Sequence, residues 1–362
     1  MQETKNVVSR KKQLINLAII AVLAAATMFF LLKDNNLMRL IDIVKNADKR
    51  FLWMGVVVMA VFFFVEAISI RSLLKSFGYK PSVMRCYGYS FVDFYFSSIT
   101  PGCAGGQPAQ IYYMNRDQIP PGSSSIAILL FNLAYHISVL LIALVAFFSG
   151  AMKAVLKFNI LKVLIIYGAA IQLLLVIAFI GLAFSPRLVP NLIAKLIHFL
   201  RKIRIVKNEE KWQEKARMQM QEYRSCAKHI QKRPLLLLRT LALTTLHLLL
   251  LYSISYFVYR ALGLSEWGLF ALIGIQATMT LAIESLPIPG AFGAAEASFL
   301  AVYGAIFGGE LVLVALLLAR GLNYYLGLMV GAVVTLVMHK KQIKTPLTKA
   351  FHLRKAAKQA SS

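Results

Sequence analysis

The chain has few acidic residues and few cysteines, and both shortages limit what it can be. Against 40 lysines and arginines stand 15 acidic residues and 3 cysteines. Cys86, Cys103 and Cys226 do not have the spacing of a zinc or redox motif, so we predict neither a disulfide framework nor a metal site. The sequence also lacks a P-loop, a His-Glu-X-X-His motif and a Gly-X-Ser-X-Gly motif. It therefore gives no indication of ATP-driven or familiar hydrolytic chemistry, and we predict no cofactor.

Apolar residues are abundant. They make up 59% of the 362 residues, and the mean hydropathy is +0.67, which is more apolar surface than a soluble fold of this length can bury. A bilayer core of about 30 Å is crossed by a helix of about 20 residues. Six runs are long enough: Leu14–Leu32, Phe51–Ile70, Ser124–Ser149, Ile160–Phe184, Leu235–Tyr259 and Leu311–Met338. The first lacks a small-residue cleavage site, so we interpret it as an uncleaved helix.

The basic residues are concentrated in four segments, and their distribution predicts the topology. These segments are 1–13, 71–85, 187–233 and 339–362. The positive-inside rule places them, and both termini, in the cytosol. The six spans satisfy this rule only if 86–116 enters and leaves on the cytosolic side and 267–309 does so on the outer side. We therefore predict two re-entrant hairpins. The alternative left open is that these two segments form additional full spans.

A sequence repeat supports the two hairpins. An offset of 188, from Pro101 to Pro289, superposes the segment 97–106 on 285–294. The same offset lays Phe51–Ile70 over Arg239–Val258 and Ser124–Ser149 over Val312–Val337. Paired Pro/Gly interruptions of apolar segments are typical of transporters with internal repeats. We predict an all-α polytopic membrane protein with about six transmembrane helices and two Pro/Gly-broken re-entrant hairpins. They form an inverted-topology repeat, with repeat 1 at 51–150 and repeat 2 at 239–338.

The two breaks predict an anion site. After Pro101-Gly102 and after Pro289-Gly290 the chain is expected to restart as a half-helix, whose first N–H groups lack partners and whose dipole end is positive. Two such ends facing each other near the midplane would suit a lipid phosphate. The alternative is that each Pro-Gly pair only kinks a packed helix.

Ionisable residues inside the apolar segments indicate where a headgroup binds. Such a group costs a few kcal/mol in a membrane unless it faces a cavity or a partner. Arg320 could contact a phosphate or neutralise Glu284 or Glu296, and the carboxylates could hold a cationic headgroup. Glu66 is expected only to pair with Arg71. The predicted substrate-binding residues are Asp93, Pro101, Gly102, Gly105, Gly106, Gln107, Glu284, Pro289, Gly290, Gly293, Glu296 and Arg320. No catalytic residue is predicted.

Other polar residues have simpler interpretations. Interhelical hydrogen bonds are expected for most of Gln110, Asn132, His136, His247 and Gln276. Packing or interfacial positions are expected for Tyr112-Tyr113 and Tyr324-Tyr325.

The basic segment 187–233 predicts contact with a membrane surface. Its first part, 188–203, has helical apolar spacing beside lysines and arginines, which is typical of an amphipathic helix on an anionic leaflet. Residues 209–233 are expected to form a solvated charged helix, and 341–362 a basic cytosolic tail. We predict no nucleic-acid binding, because the basic residues lie where the membrane topology already places them.

The motifs resemble a known family. The segment 99–108 with Tyr112-Tyr113-Met114, the segment 286–296 and Arg320 are similar to the lysylphosphatidylglycerol synthase/flippase transmembrane family over about residues 10–340. The resemblance implies a flippase that moves aminoacylated phosphatidylglycerol to the outer leaflet. In two-domain relatives a C-terminal cytosolic domain attaches lysine from charged tRNA, and we expect that activity to be missing here. Many relatives have Glu directly after the first motif's Gly, where this chain has Gln107, and this difference bears on the headgroup.

The functional prediction is a phospholipid flippase in the bacterial cytoplasmic membrane. Its cargo would be a phosphatidylglycerol derivative such as lysyl-phosphatidylglycerol, which contributes to surface charge and to resistance against cationic peptides. Membrane phospholipids and a separate synthase are the expected partners, and homo-oligomerisation is left open. The alternatives are a phosphatidylglycerol lysyltransferase, a transporter of a polyprenyl phosphate or small solute, and a non-transporting partner that recruits a synthase through 187–233.

Overall fold

A computed structural model describes residues 37–100, 103–185, 209–286, 293–309 and 311–340, and these ranges contain helices and no strands. In chain order the α-helices are α1 (Leu37–Asn46), α2 (Lys49–Ser76), α3 (Val83–Ser98), α4 (Gly106–Arg116), α5 (Pro121–Phe148), α6 (Asn159–Phe184), α7 (Glu209–Gln231), α8 (Pro234–Tyr252), α9 (Ile254–Ala261), α10 (Leu269–Ile283), α11 (Ala294–Phe307), α12 (Leu311–Arg320) and α13 (Leu326–Lys340). A 3₁₀ turn, Ala151–Ala154, follows α5, and a π-helical segment, Gly321–Tyr325, joins α12 to α13.

Five helical units are long and apolar enough to cross a membrane. They are α2, α5, α6, the continuous pair α8–α9, and α12–α13 with its π segment. Five of the six predicted spans are therefore present as helices, and the all-α polytopic membrane fold is confirmed. The predicted first span Leu14–Leu32, the amphipathic stretch 188–203 and the tail 341–362 lie outside the described residues.

Local sequence determines where several helices begin. The Asp48 carboxylate accepts a hydrogen bond from the Arg50 backbone N–H at 2.9 Å, and the Ser82 hydroxyl accepts one from the Arg85 N–H at 3.1 Å. Each side chain satisfies an N–H that the first turn of a helix leaves without a partner. Pro121 and Pro234 occupy the first turns of α5 and α8, where a missing N–H costs nothing.

The helices on either side of the two breaks are short. Helices α3 and α4, hairpin 1, contain 16 and 11 residues, and α10 and α11, hairpin 2, contain 15 and 14. At a rise of about 1.5 Å per residue none exceeds about 24 Å. Each helix is therefore shorter than the bilayer core of about 30 Å.

The sequence offset of 188 also relates the helices. It carries Val83–Ser98 onto 271–286, where α10 occupies Leu269–Ile283. It carries Gly106–Arg116 onto 294–304, where α11 begins at Ala294. The residues that precede α4 and α11, Gly105 and Gly293, are related by the same offset. The chain therefore does restart as a helix after each Pro-Gly pair, in both repeats.

Two apolar cores lie at opposite ends of the bundle. Core A contains Met59, Phe62 and Phe63 of α2 and Ile142 of α5. Core B contains Leu73 and Leu74 of α2 and Ile126 of α5. Helices α2 and α5 thus run between the two cores in opposite directions. The base of hairpin 2 lies in core A, through Leu272 and Phe307, and the base of hairpin 1 lies in core B, through Cys86, Met114 and Ile119. The two hairpins therefore enter the bundle from opposite ends.

Each hairpin packs against the last span of the other repeat. In hairpin 1, α3 packs on α13 as well as on α2, and in hairpin 2, α10 packs on α5 and α6. The first spans of the two repeats, α2 and α8, pack directly on each other. Exchange of the two repeats thus preserves the pattern of packing, as expected for a pseudo-two-fold axis in an inverted repeat.

Helix α7 is not a fully solvated helix, which corrects the sequence prediction. Met220, Tyr223, Cys226 and Ile230 are buried in core B. Burial raises the pKa of the Cys226 thiol to about 12. Apolar residues at helical spacing form this face, and tertiary packing covers it while the charged face stays outside.

Polar contacts hold α7 against the ends of other helices. The Glu222 carboxylate accepts hydrogen bonds from the hydroxyls of Tyr79, at 2.9 Å, and Ser123, at 2.8 Å. The Tyr223 hydroxyl donates to the Leu182 carbonyl near the end of α6 at 2.9 Å. Helix α7 therefore ties together the α2–α3 connection, the start of α5 and the end of α6.

Candidate functional site

The first break folds into a closely packed turn at the end of α3. The Gly105 N–H donates to the Thr100 hydroxyl oxygen at 2.8 Å, and that hydroxyl donates to the Phe96 carbonyl at 2.6 Å. Gly106 is buried against α3, where an added Cβ would lie 2.6 Å from the Asp93 carbonyl oxygen. Only glycine permits this approach of the two helices. Pro101 and Gly102, which were predicted to bind substrate, lie outside the described residues.

Asp93 faces a polar cluster inside repeat 1. The Gln110 amide donates to the Glu66 carboxylate and to the Tyr89 carbonyl, each at 3.4 Å, and Glu66 also interacts electrostatically with Asp93. Glu66 is buried in this cluster. The Arg71 guanidinium instead donates to the Pro81 carbonyl at 3.0 Å. The expected Glu66–Arg71 pair is therefore replaced by contacts that join α2, α3 and α4.

The second break ends at a buried ion pair. The Gly293 N–H, at the start of α11, donates to Glu296 Oε2 at 2.7 Å. The other carboxylate oxygen, Oε1, lies 2.6 Å from Arg320 Nη2. Glu296 is 5% exposed. Of the two partners predicted for Arg320, the structure brings it to Glu296, and this carboxylate also anchors the start of the half-helix. Pro289 and Gly290 lie outside the described residues.

The π-helical segment after Arg320 links the ion pair to hairpin 1. The Arg320 guanidinium lies over the Tyr324 ring, 5.8 Å from its centroid. The Tyr324 hydroxyl donates to the Ser98 carbonyl, the last residue of α3, at 3.1 Å. π-helical turns are rare and are often found at functional sites. Here Arg320, at the end of α12, contacts hairpin 2 through Glu296, and Tyr324, in the π segment, contacts hairpin 1 through Ser98.

A second polar cluster forms at Glu284, the residue that follows α10. The Glu284 carboxylate accepts hydrogen bonds from the hydroxyl of Tyr135 on α5 and, at 3.4 Å, from the amide of Gln172 on α6. The Gln172 amide oxygen in turn contacts His136 Nδ1. Gln172 is buried, whereas Glu284 keeps exposed surface. The buried Gln172 and the half-buried Tyr135 thus hold a carboxylate that remains accessible.

These contacts bring the two hairpin tips together. Tyr135 contacts the tip of hairpin 2, and Tyr324 contacts the end of α3. The last span of each repeat therefore reaches the hairpin of the other repeat through a tyrosine. Among the described residues, the candidate site comprises Glu284, Glu296 and Arg320 with these two tyrosines.

Two predicted site residues have other positions. Asp93 lies beside Glu66 and the start of α4, within hairpin 1, and Gln107 lies exposed on the first turn of α4.

Of the remaining polar residues, His247 and Gln276 make the interhelical contacts expected of them, whereas Asn132 bonds within its own helix. His247 contacts the Phe62 carbonyl through Nδ1 at 3.0 Å, and Gln276 accepts from the Tyr303 hydroxyl at 3.2 Å. Asn132 donates within α5 to the Ile128 carbonyl. Sequence reasoning gave no role to Gln172 and only a packing role to Tyr324. The signal available for Gln172 was a polar residue in an otherwise apolar span.

Comparison with known proteins agrees with this architecture. The sequence profile of the family described as "Lysylphosphatidylglycerol synthase TM region" matches residues 13–331. The chain is also similar to a UPF0104 membrane protein from Pyrococcus horikoshii, with 22% identity over 314 residues, which cover 83% of this chain and 91% of that protein. The family match includes both hairpins and the ion pair at Arg320.

Proposed function

The chain belongs to the lysylphosphatidylglycerol synthase transmembrane family, and from that premise we propose that it moves a phospholipid between the leaflets of a membrane. The proposed cargo is a phosphatidylglycerol derivative such as lysyl-phosphatidylglycerol. The proposed location is the bacterial cytoplasmic membrane, with both termini in the cytosol. Delivery of this lipid to the outer leaflet would make the surface less negative and so weaken the attraction of cationic peptides.

One set of contacts carries the proposal. The start of α11 is held by Glu296, Glu296 pairs with Arg320, and Tyr324 beside Arg320 holds the end of α3. A guanidinium has five N–H donors, so Arg320 can keep Glu296 and still donate to a phosphate oxygen. The N-terminal turn of α11 adds a positive dipole end at the same place. This combination suits the phosphate that all phospholipids carry.

The proposed movement keeps the charged headgroup away from the hydrocarbon. The headgroup occupies the polar site between the hairpin tips while the acyl chains remain in the surrounding lipid. Opposite rocking of the two repeats would open the site first to one side and then to the other, as in other inverted-repeat transporters. We also propose that the aminoacyl lipid is made by a separate synthase and that this chain transports it without transferring lysine. In support, the matched profile describes the membrane region of such synthases.

Reconstitution tests the proposal directly. The purified protein is placed in vesicles that contain acyl-labelled fluorescent phosphatidylglycerol or its lysyl ester, and dithionite bleaches the lipid in the outer leaflet. We expect the wild-type protein to move at least one of the two lipids. Arg320→Gln should slow it at least about ten-fold, because it removes the cation that holds both Glu296 and the phosphate. Arg224→Gln is the matched control, since Arg224 is exposed on α7.

Two measurements make the outcome interpretable. Gel filtration and thermal unfolding in detergent show whether Arg320→Gln is folded. Movement of neither lipid by the wild-type protein would contradict lipid transport by this chain. Movement at the wild-type rate by folded Arg320→Gln would contradict the site.

A further inference from the structure

The two carboxylates at the tip of hairpin 2 differ in what surrounds them. Glu296 is buried and contacts the Arg320 guanidinium and the Gly293 N–H. Glu284 receives its hydrogen bonds from the uncharged Tyr135 and Gln172. Among the ion pairs between described residues, none includes Glu284. Glu296 is thus paired with a cation of the protein, whereas the side chains that hold Glu284 are uncharged donors.

The surroundings of Glu284 fix its carboxylate without covering it. Gln172 is 1% exposed and lies between His136 and Glu284, so its amide has a defined orientation. Glu284 itself remains exposed at the end of α10. A carboxylate within a membrane protein is costly unless it faces a cavity or a charged partner. An accessible, oriented carboxylate therefore provides a position for a cation that the protein does not itself supply.

Unsatisfied polar atoms lie next to these residues in the chain. Ser285 Oγ, beside Glu284, and Asn323 Oδ1, within the π segment, are buried and have no hydrogen-bond partner among the described residues. Buried polar atoms in proteins are nearly always hydrogen-bonded, and a bound polar group is one way to satisfy them. Ser285 follows Glu284, and Asn323 follows Arg320 by three positions, so both sides of the candidate site have such an atom.

We propose that Glu284 binds the ammonium group of the transported lipid and selects headgroups that carry one. This inference rests on the proposed lipid transport and adds to it a separate role for each of the two carboxylates. Arg320, held by Glu296, contacts the phosphate that every cargo carries. Glu284, held by Tyr135 and Gln172, contacts the ammonium group that only some headgroups carry. Glu284 directly follows α10 and Glu296 lies in the first turn of α11, so both subsites are at the tip of hairpin 2.

The test compares two lipids that differ in the ammonium groups. Wild-type protein and variants are reconstituted in vesicles with labelled phosphatidylglycerol or labelled lysyl-phosphatidylglycerol, and the transport rates are measured by dithionite bleaching. We expect the wild-type protein to move the lysyl ester faster. Glu284→Gln should slow the lysyl ester about five-fold or more and change phosphatidylglycerol by less than about two-fold, because it removes an attraction specific to the cation. Glutamine keeps the shape and can still accept from Tyr135.

Three further variants separate selection from a general loss of function. Arg320→Gln should slow both lipids to a similar degree. Tyr135→Phe, which removes only the donor to Glu284, should slow the lysyl ester by about two- to three-fold. Glu266→Gln is the matched control, since Glu266 is exposed before α10, and it should change neither rate.

The possible outcomes distinguish the two proposals. Equal slowing of both lipids by Glu284→Gln, or a wild-type protein with no preference for the lysyl ester, overturns selection by Glu284 and leaves lipid transport standing. A wild-type protein that moves neither lipid overturns the proposed function, and the selection proposal with it. Loss confined to the lysyl ester supports both.

Discussion

The two hairpins have the same order of helices but differ in how firmly their helices are joined. The base of hairpin 1 is closed by a bidentate ion pair, in which Arg85 Nη2 lies 2.6 Å from Asp117 Oδ1 and Arg85 Nε donates to the other oxygen. The Asp117 side chain is fully buried. At the tip, Gly106 lets α4 approach the backbone of α3. Hairpin 1 is therefore fixed at both ends.

The described residues of hairpin 2 contain neither a bidentate ion pair at the base nor a close glycine contact at the tip. The offset of 188 carries Arg85 and Asp117 onto Ile273 and Ala305, which are apolar, and Gly106 onto Ala294. Helix α10 packs mainly on α5 and α6, whereas α11 packs mainly on α12. An added Cβ on Gly293 would meet no atom within 4 Å, although its φ of +84° favours glycine. Helix α11 is thus attached to the last span through the Glu296–Arg320 pair and packs little on α10. Because its two helices are joined less firmly than those of hairpin 1, we expect hairpin 2 to be the part that opens.

The largest expected effect is at the base of hairpin 1. Asp117→Ala leaves the Arg85 guanidinium without its buried partner, and we expect the free energy of unfolding to fall by about 3 kcal/mol. Thermal unfolding in detergent measures the loss. Asp42→Ala is the control, because its pair with Lys45 is long, at 4.0 Å, and exposed, and its loss should stay below about 0.5 kcal/mol. Equal losses in the two variants would mean that the ion pair does not fix hairpin 1.

A smaller effect is expected from exchanging the residues that start α4 and α11. In Gly106→Ala the new Cβ would lie 2.0 Å from Ser97 Oγ and 2.6 Å from the Asp93 carbonyl oxygen, so α4 must move away at a cost of about 2 kcal/mol. The matched change in hairpin 2, Ala294→Gly, should cost at most about 1 kcal/mol. The same unfolding measurement applies. If Ala294→Gly proves the more costly change, the contrast between a tight and a loose hairpin is wrong.

The third prediction concerns the sides of the membrane from which the two hairpins enter. Its substitutions are at exposed positions, so they should leave the stability of the protein unchanged. Lys80 precedes α3 and Glu266 precedes α10, and Glu266 and Lys80 are both exposed. In intact cells a membrane-impermeant maleimide should label Glu266→Cys and not Lys80→Cys, each in a background with its natural cysteines replaced. Lysed cells should label both, which controls for reactivity. Labelling of both residues in intact cells would contradict entry from opposite sides.

Much of this fold could be predicted because its signals are local. Apolar run length predicted six spans, of which five are present as helices in the described residues, and the Pro-Gly pairs predicted where α4 and α11 restart. The offset of 188 relates Gly105 to Gly293, and each of these glycines directly precedes a helix. The sequence left Glu284 and Glu296 open as partners of Arg320, since an intramembrane cation favours an anionic partner, and the structure pairs Arg320 with Glu296.

The parts that sequence reasoning missed depend on contacts between distant residues. The bonds from Tyr135 to Glu284 and from Tyr324 to Ser98 join residues more than a hundred positions apart, and no spacing rule predicts them. The apolar pattern does not reveal the π segment either, because one wide turn leaves the run of apolar residues uninterrupted. For α7 the many charged residues led to the prediction of a solvated helix. The apolar residues Met220, Tyr223 and Ile230 carried the opposing signal at helical spacing.

The exchange of packing between the repeats has a consequence for how such a protein could arise. Because α3 packs on α13 and α10 packs on α5, one repeat alone would leave the contact surface of its hairpin uncovered. Two copies of a single ancestral unit, inserted in opposite orientations, would cover these surfaces for each other as an antiparallel homodimer. After gene duplication and fusion, one added crossing between the copies would keep their orientations opposed. Helix α6 lies between repeat 1 and repeat 2 and has the length and hydropathy for that crossing.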